Sequence, residues 1–295
     1  MSVILASMTQ PDPSTSNGIQ VLGLCRFSVP SAGAFQVEHD SIEERRAFLY
    51  DPARLALRFA WFENVTLPGI AAQKDKAFKL VVLLGEDFPE PWRSRMLAHG
   101  DAVPQLAFEF APPLHHRKIC ADAMAKHIDP NAEQVLQFRL DDDDAVAINF
   151  IRRLRKDFRK LRGFHAARGT PMAIDYSKGI NLFARNGNVS LVPRYEAFLG
   201  VAFAIATTPG DGNHILGFMH HVIWQNLPAV TMPDDIMWVR GGHGTNDSGG
   251  IAKKPTYAAD EPELRRVLRQ RFRIDLAALK AALRQDPMTD SEASG

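Results

Sequence analysis

Cysteine is scarce in this chain of 295 residues: Cys25 and Cys120 are the only two, far apart and outside any CxxC pair. Two such cysteines cannot build a disulfide framework or, alone, a structural zinc site, and they fit a reducing compartment. A surplus of one charge is also lacking. Lys and Arg number 35 against 34 Asp and Glu, a formal net charge of +1. A dedicated nucleic-acid binder usually carries a clear basic excess, so no nucleic-acid partner is expected. No run of about 18 apolar residues occurs, which leaves no transmembrane helix to expect. The first residues show a short apolar patch without a basic region before it. No secretory signal peptide is therefore read there, and the cytoplasm is the expected location. The dinucleotide-binding glycine fingerprint, the phosphate loop, the GxSxG elbow and the HExxH zinc motif are missing as well. A triad hydrolase or a zinc protease has no support.

What is present is ordinary globular composition, 45% hydrophobic and 23% charged, which excludes a disordered or collagen-like chain. Residues 1–18 include a Ser/Pro/Thr-rich stretch and read as a flexible leader, and residues 285–295 read as a flexible tail. Between them, residues 19–284 form one expected domain. Its first half alternates strand and helix. Residues 19–24, 78–84, 105–108 and 135–140 are strand candidates. Helices are expected after Ser41, which has capping-box spacing to Glu44, and after Asp51-Pro52, with Leu55, Phe59 and Phe62 on one face. Further helices are expected over 91–99, 115–127 and 145–163. Strands at 172–176, 180–184 and 189–192 follow, with Asn186-Gly187 as a hairpin turn. A helix over 213–224, a strand over 229–232 and a closing helical segment over 262–284 complete the chain. The pattern predicts an α/β fold whose mixed, mostly parallel sheet is flanked by helices, with a C-terminal helical segment.

The strongest chemical feature is the run Asp141, Asp142, Asp143 and Asp144 at the end of a strand. Four adjacent carboxylates repel one another and are costly to hold together without cations. Open α/β sheets place their ligands at such strand ends. In an extended chain Asp141 and Asp143 would share one face and Asp142 the other. Paired carboxylates of this kind suit Mg²⁺ or Mn²⁺, a hard cation that also holds substrate phosphates. The competing reading is a helix cap at Asp143 or Asp144, which needs one or two aspartates rather than four.

An apolar strand, Asp-x-Asp and a helix resemble the metal-binding motif of GT-A-type glycosyltransferases. The fuller pattern is similar to one group of them, the rhamnosyltransferase-like family. Its pieces are Arg26-Phe27-Ser28, Trp61-Phe62-Glu63-Asn64 with Thr66-Leu67-Pro68, FKLVVLLGEDFPEPW (78–92), RLDDDDAV (139–146) and HGTNDSG (243–249). The resemblance implies a nucleotide-diphospho-sugar donor, a glycan or other hydroxyl acceptor, and Mn²⁺ or Mg²⁺. The family label points to rhamnose as the sugar. Asp141 and Asp143 would hold the metal, and His243, in a Gly-rich loop, would be a third ligand. Asp142 and Asp144 would contact sugar or ribose hydroxyls, and Arg26 and Ser28 would cradle the nucleotide. Asp211 is the first candidate for a catalytic base, Asp247 the second and Asp235 the third, although the sequence around Asp211 also reads as a plain turn. A nucleotidyl or phosphoryl transferase, or a protein that only binds a cation, are the rival readings.

His220 and His221 fall on the expected 213–224 helix and read as facing core or solvent. The 145–163 helix carries Arg152, Arg153, Arg155, Lys156, Arg159, Lys160 and Arg162, and the closing segment adds Arg265, Arg266, Arg269, Arg271 and Arg273. Such runs are most often solvated faces. The functional alternative is peripheral contact with an anionic membrane surface or an acidic glycan.

Overall fold

The computed structural model describes residues 12–33, 41–185, 188–242 and 256–284. The first half runs β1 (Thr15–Ser16), β2 (Ile19–Arg26), α1 (Ile42–Leu49), α2 (Pro52–Trp61), a π-helical turn (Phe62–Thr66), α3 (Leu67–Ala71), β3 (Lys79–Gly85), α4 (Trp92–Ala102), β4 (Leu106–Ala111), α5 (His116–Ala125) and β5 (Gln134–Arg139). The second half runs β6 (Ala145–Val146), α6 (Phe150–Arg168), β7 (Met172–Tyr176), β8 (Lys178–Arg185), β9 (Asn188–Tyr195), β10 (Phe203–Thr207), β11 (Ala229–Met232), β12 (Trp238–Gly242), α7 (Glu261–Val267) and α8 (Leu276–Arg284).

The main sheet has the order β11-β7-β10-β5-β2-β3-β4, with β1 pairing β2. Strands β4, β3, β2 and β5 are parallel, β10 is antiparallel to β5 and β7, and β11 is parallel to β7. The fold is thus mixed α/β with a mostly parallel sheet flanked by helices, as the sequence pattern predicts. Strand β3 shows why its run is continuously apolar. Leu80, Val82 and Leu84 enter the core on one face, and Val81 and Leu83 enter the core on the other. Period-two alternation with both faces covered leaves no polar position. The chain leaves β2 towards β3 on one side, while β5 lies on the other. A crevice therefore opens at the carboxyl ends of β2 and β5, where the strand order reverses.

Local signals place the surrounding helices. Ser41 accepts a hydrogen bond from the Glu44 backbone N–H, and Asp51 accepts one from that of Arg54, with Pro52 in the first helical turn. Leu55, Phe59 and Phe62 are fully buried.

Four strands of the second half form a second sheet, ordered β6-β12-β8-β9. Strands β8 and β9 pair antiparallel, Arg185 with Asn188, and the expected turn residues 186–187 lie outside the described residues. Residues 145–146 are strand β6 rather than the start of a helix, because Ala145 and Val146 pair with Val239 and Trp238. Helix α6 instead begins at Phe150 and runs to Gly169, whose left-handed φ of 62° ends it. The expected helix over 213–224 is replaced by two 3-10 turns, Ile215–Gly217 and His220–Gln225, with Met219 extended between them. The closing segment is broken at Arg273, which takes a left-handed φ of 62° between a π-helical turn and α8.

Residues 12–18 are no flexible leader. Ser14 is buried, accepts from Gln20 Nε2 through its hydroxyl, and accepts from Arg155 Nη2 through its carbonyl. Arg155 is buried and ion-paired to Asp75, and Arg153 binds Asp157, Asp234 and Asp235. These two leave the expected basic face, while Arg152, Lys156, Arg159, Lys160 and Arg162 stay exposed. No helix among the described residues is long and apolar enough to cross a membrane.

Candidate active site

The crevice is a cavity of about 540 Å³ lined by six arginines and four aspartates. Arg26 comes from the end of β2, Arg54 and Arg58 from α2, Arg117 from α5, Arg139 from β5 and Arg240 from β12. Residues 141–144 cross the cavity between β5 and β6. They do not continue as an extended strand. The Asp144 N–H donates to the Asp141 carbonyl at 3.1 Å, which closes a four-residue turn and brings all four aspartates to the cavity wall. The helix-cap reading also falls away, since α6 starts at Phe150 after Asn149.

Each carboxylate has its own surroundings. Asp141 accepts from Arg139 Nη2 at 2.9 Å and from Arg26 Nη2 at 3.2 Å. Burial alone would raise its carboxyl, but the charges of Arg139 and Arg26 outweigh that and hold it far below the usual carboxylate range. Asp142 is 1% exposed. Arg58 grips it with both prongs, Nε to Oδ2 at 2.7 Å and Nη2 to Oδ1. Asp143 lies 3.6 Å from Arg58 Nη1. Asp144 accepts from the Gly241 N–H at 3.1 Å. Burial, and next the charge of Asp143, push its carboxyl well above the ordinary range. Gly241 is required here by close approach: a Cβ at this position would stand 2.2 Å from the Asp143 carbonyl oxygen.

Two histidines complete the wall. His116 is buried and its Nε2 lies 2.6 Å from Arg26 Nη1. The guanidinium can only donate, so Nε2 accepts. Burial, then the positive charge of Arg26, lowers the His116 imidazole to about 3, and it is neutral. His220 places Nδ1 2.6 Å from the Phe198 carbonyl, which assigns the proton to Nδ1. Burial, then the charge of Arg139, lowers its pKa from the ordinary value. His221 lies beside it, ring centroids 5.5 Å apart at 83°.

Of the expected site residues, Arg26, Ser28, Asp141, Asp142, Asp143 and Asp144 all line the cavity. Ser28 takes a positive φ of 48°, and its hydroxyl accepts from Arg54 Nη1 at 3.4 Å. Asp211 does not line it. Its carboxylate is exposed and accepts from the backbone N–H groups of Thr208 and Asn213 at 3.0 and 2.8 Å, which holds the turn. Asp235 likewise stands in ion pairs with Arg153 and Arg271. His243 and Asp247 lie outside the described residues. His220 and His221 face the cavity, contrary to the sequence expectation. Arg54, Arg58, Arg139 and His116 were not singled out by sequence. For Arg54 and Arg58 a signal existed, since four-residue spacing puts both on one helix face. Among the described residues, no group of three or more His, Cys, Asp or Glu is arranged to hold a metal ion.

Fold and site together define an α/β protein whose sheet-end crevice brings six arginines against four aspartates. Residues 20–255 match the family model described as "Putative rhamnosyl transferase", and the chain belongs to that family of glycosyltransferases. No curated protein matches the chain. Among solved structures, S. aureus TarS 1-349 in complex with UDP is similar with 7% identity and a TM-score of 0.40, covering 75% of this chain and 60% of that one. The same protein in complex with UDP-GlcNAc gives 10% identity and a TM-score of 0.38, over 84% of this chain and 64% of that one. The 4-diphosphocytidyl-2C-methyl-D-erythritol synthase of Anaerococcus prevotii gives 13% identity and a TM-score of 0.25, over 80% and 93%. The chain spans less than two thirds of the TarS structures it resembles, and likeness at these scores carries no inference about activity.

Proposed function

We propose that the cavity binds a nucleotide-diphospho-sugar, with rhamnose as the sugar the family name suggests, and that the protein transfers this sugar to a hydroxyl of a glycan or similar acceptor. The observation that carries the reading is the meeting of six arginines with the 141–144 turn at the switch point of the sheet. Breaking the bond between the sugar's C1 and the phosphate oxygen leaves an electron pair on the diphosphate. The acceptor oxygen bonds to C1 and its proton leaves. Cationic donors that meet the diphosphate in the cavity would stabilise that growing charge. Arg26 and Arg139 now neutralise Asp141, and both can turn from it to a diphosphate.

A hard cation is proposed as well, to be gathered by carboxylates that, among the described residues, are not already arranged around one. What supports it is the chemistry of carboxylate oxygens and the raised Asp144 carboxyl beside Asp143, negative charge that a divalent ion would relieve. Asp141 and Asp143 would hold Mg²⁺ or Mn²⁺, with His243 as a further ligand, and the ion would add Lewis-acid neutralisation of the leaving diphosphate. Asp142 and Asp144 would contact donor hydroxyls. A peripheral location at the inner face of a membrane is proposed from the exposed cations of α6.

The test is a panel of dTDP-rhamnose, UDP-GlcNAc and GDP-mannose, each with and without Mn²⁺, followed by melting temperature and by release of nucleoside diphosphate. One donor should be hydrolysed or transferred. Release of pyrophosphate instead would point to nucleotidyl transfer and refute the proposal.

A further inference from the structure

Glycosyl transfer requires a group to take the acceptor's proton; of the carboxylates expected for this, Asp211 and Asp235 are occupied elsewhere and Asp247 lies outside the described residues. Within the cavity, Asp141, Asp142 and Asp143 face arginines, and Asp144 already accepts from the Gly241 N–H. The Nε2 of His116 already accepts from Arg26. His220 differs from all of these. It comes from the 3-10 turn His220–Gln225, apart from the elements that supply the arginines. Its Nδ1–H donates to the Phe198 carbonyl, which fixes the tautomer and leaves a lone pair on Nε2. Its ring is held on two further sides. A Cβ at Gly200 would stand 3.4 Å from three of its ring carbons, so the backbone packs on its face, and His221 meets it nearly at right angles. Its Nε2 has no hydrogen-bond partner among the described residues.

We infer that His220 is the general base of the transfer, receiving the acceptor hydroxyl proton on Nε2. This rests on the glycosyltransferase reading above. As C1 bonds to the acceptor oxygen, the O–H proton passes to Nε2 and the C1–phosphate electron pair leaves with the nucleoside diphosphate. The imidazolium that forms keeps its Nδ1–H on the Phe198 carbonyl. Asp141 favours its positive charge, while Arg139 and His221 oppose it, so the proton is easily passed on to solvent.

The experiment follows nucleoside diphosphate release from the donor panel, with water as acceptor, in the wild type, His220→Asn and His220→Ala. Asn can keep a hydrogen bond to the Phe198 carbonyl but cannot accept a proton. Loss of a general base costs about 10²- to 10⁴-fold. His220→Asn should lose at least about a hundredfold in kcat while its Kd for the nucleoside diphosphate stays within about threefold. The wild-type rate should fall at acid pH as the imidazole is protonated, with the midpoint below about 6.5, and this limb should vanish in the variant. Free imidazole should restore part of the rate to His220→Ala. A His220→Asn enzyme within about threefold of wild-type kcat would overturn the inference and leave the donor reading standing. A variant that no longer binds nucleotide would also overturn it, by making His220 part of the donor site. Wild-type protein that releases diphosphate from none of the donors would overturn both.

Discussion

Replacing Arg58 by Met tests the charge balance of the cavity through stability. Arg58 is 16% exposed in its side chain and Asp142 1%, and the two share a bidentate contact. Methionine fills much of the same space but leaves the Asp142 carboxylate without its partner in a site water hardly reaches. Breaking a buried pair by removing one member costs ~3–5 kcal/mol. Unfolding entropy of about 2.1 cal/mol/K per residue makes 1 kcal/mol worth about 1.6 °C in a chain of this length, so Tm should fall by ~5–8 °C. Calorimetry and urea melting at neutral pH measure this. Adding Asp142→Asn to the variant should recover at least about half of the loss, because the stranded charge is gone. The exposed pair Arg162–Glu133, with side chains 48% and 57% exposed, is the control. Arg162→Ala should change stability by less than about 1 kcal/mol. An Arg58→Met protein as stable as the Arg162→Ala one would refute the claim that Asp142 depends on Arg58.

Asp141→Ala and Asp143→Ala should each remove diphosphate release while circular dichroism stays native, and treatment with EDTA should weaken the melting shift caused by the nucleoside diphosphate; full activity after metal removal would end the cation proposal. Asp175 is fully buried and accepts from Thr231 Oγ1 at 2.6 Å, and burial pushes its carboxyl up to about 7. Ionising it costs nothing below about pH 4, and the cost grows as pH rises towards 7. Asp175→Asn should therefore gain stability relative to wild type between those pH values, by a few kcal/mol at most; a pH-independent difference in urea melts would contradict this. Reversing Arg152, Lys156, Arg159 and Lys160 to Glu should abolish co-flotation with vesicles containing phosphatidylglycerol and leave diphosphate release intact, and wild-type protein that ignores such vesicles would remove the membrane proposal.

The parallel half of the main sheet was legible in the sequence because β3 is apolar on both faces and the caps at Ser41 and Asp51 are local devices. The acidic run was legible for the opposite reason: four adjacent carboxylates are costly unless something compensates them. What compensates them was hidden. Arg58, Asp142 and Gly241 meet only after the chain has folded, and nothing local in the sequence links residue 58 to residue 142. Helix α6 was placed too early because Ala145 and Val146 suit either structure, and pairing with β12, nearly a hundred residues later, decides between them. Asp211 misled because a turn and a catalytic loop use the same residues. His220 was passed over because the segment was read as an α-helix, and its value depends on a carbonyl 22 residues earlier in the chain.

The acidic turn is also a tether. Leu140 still bonds to Leu24 in the main sheet, and Ala145 already pairs with Val239 in the second. At about 3.3–3.6 Å per residue the four aspartates could span ~14 Å if extended, and the Asp141–Asp144 turn draws them in to less than that. A change of length here is taken up either by the turn or by a one-position slide of β6 on β12, and the slide would turn Ala145 and Val146 to opposite faces. Substitution within the tether leaves that pairing alone, whereas a change of length puts it at risk. Chain length is freer to vary in segments that are not strung between two sheets.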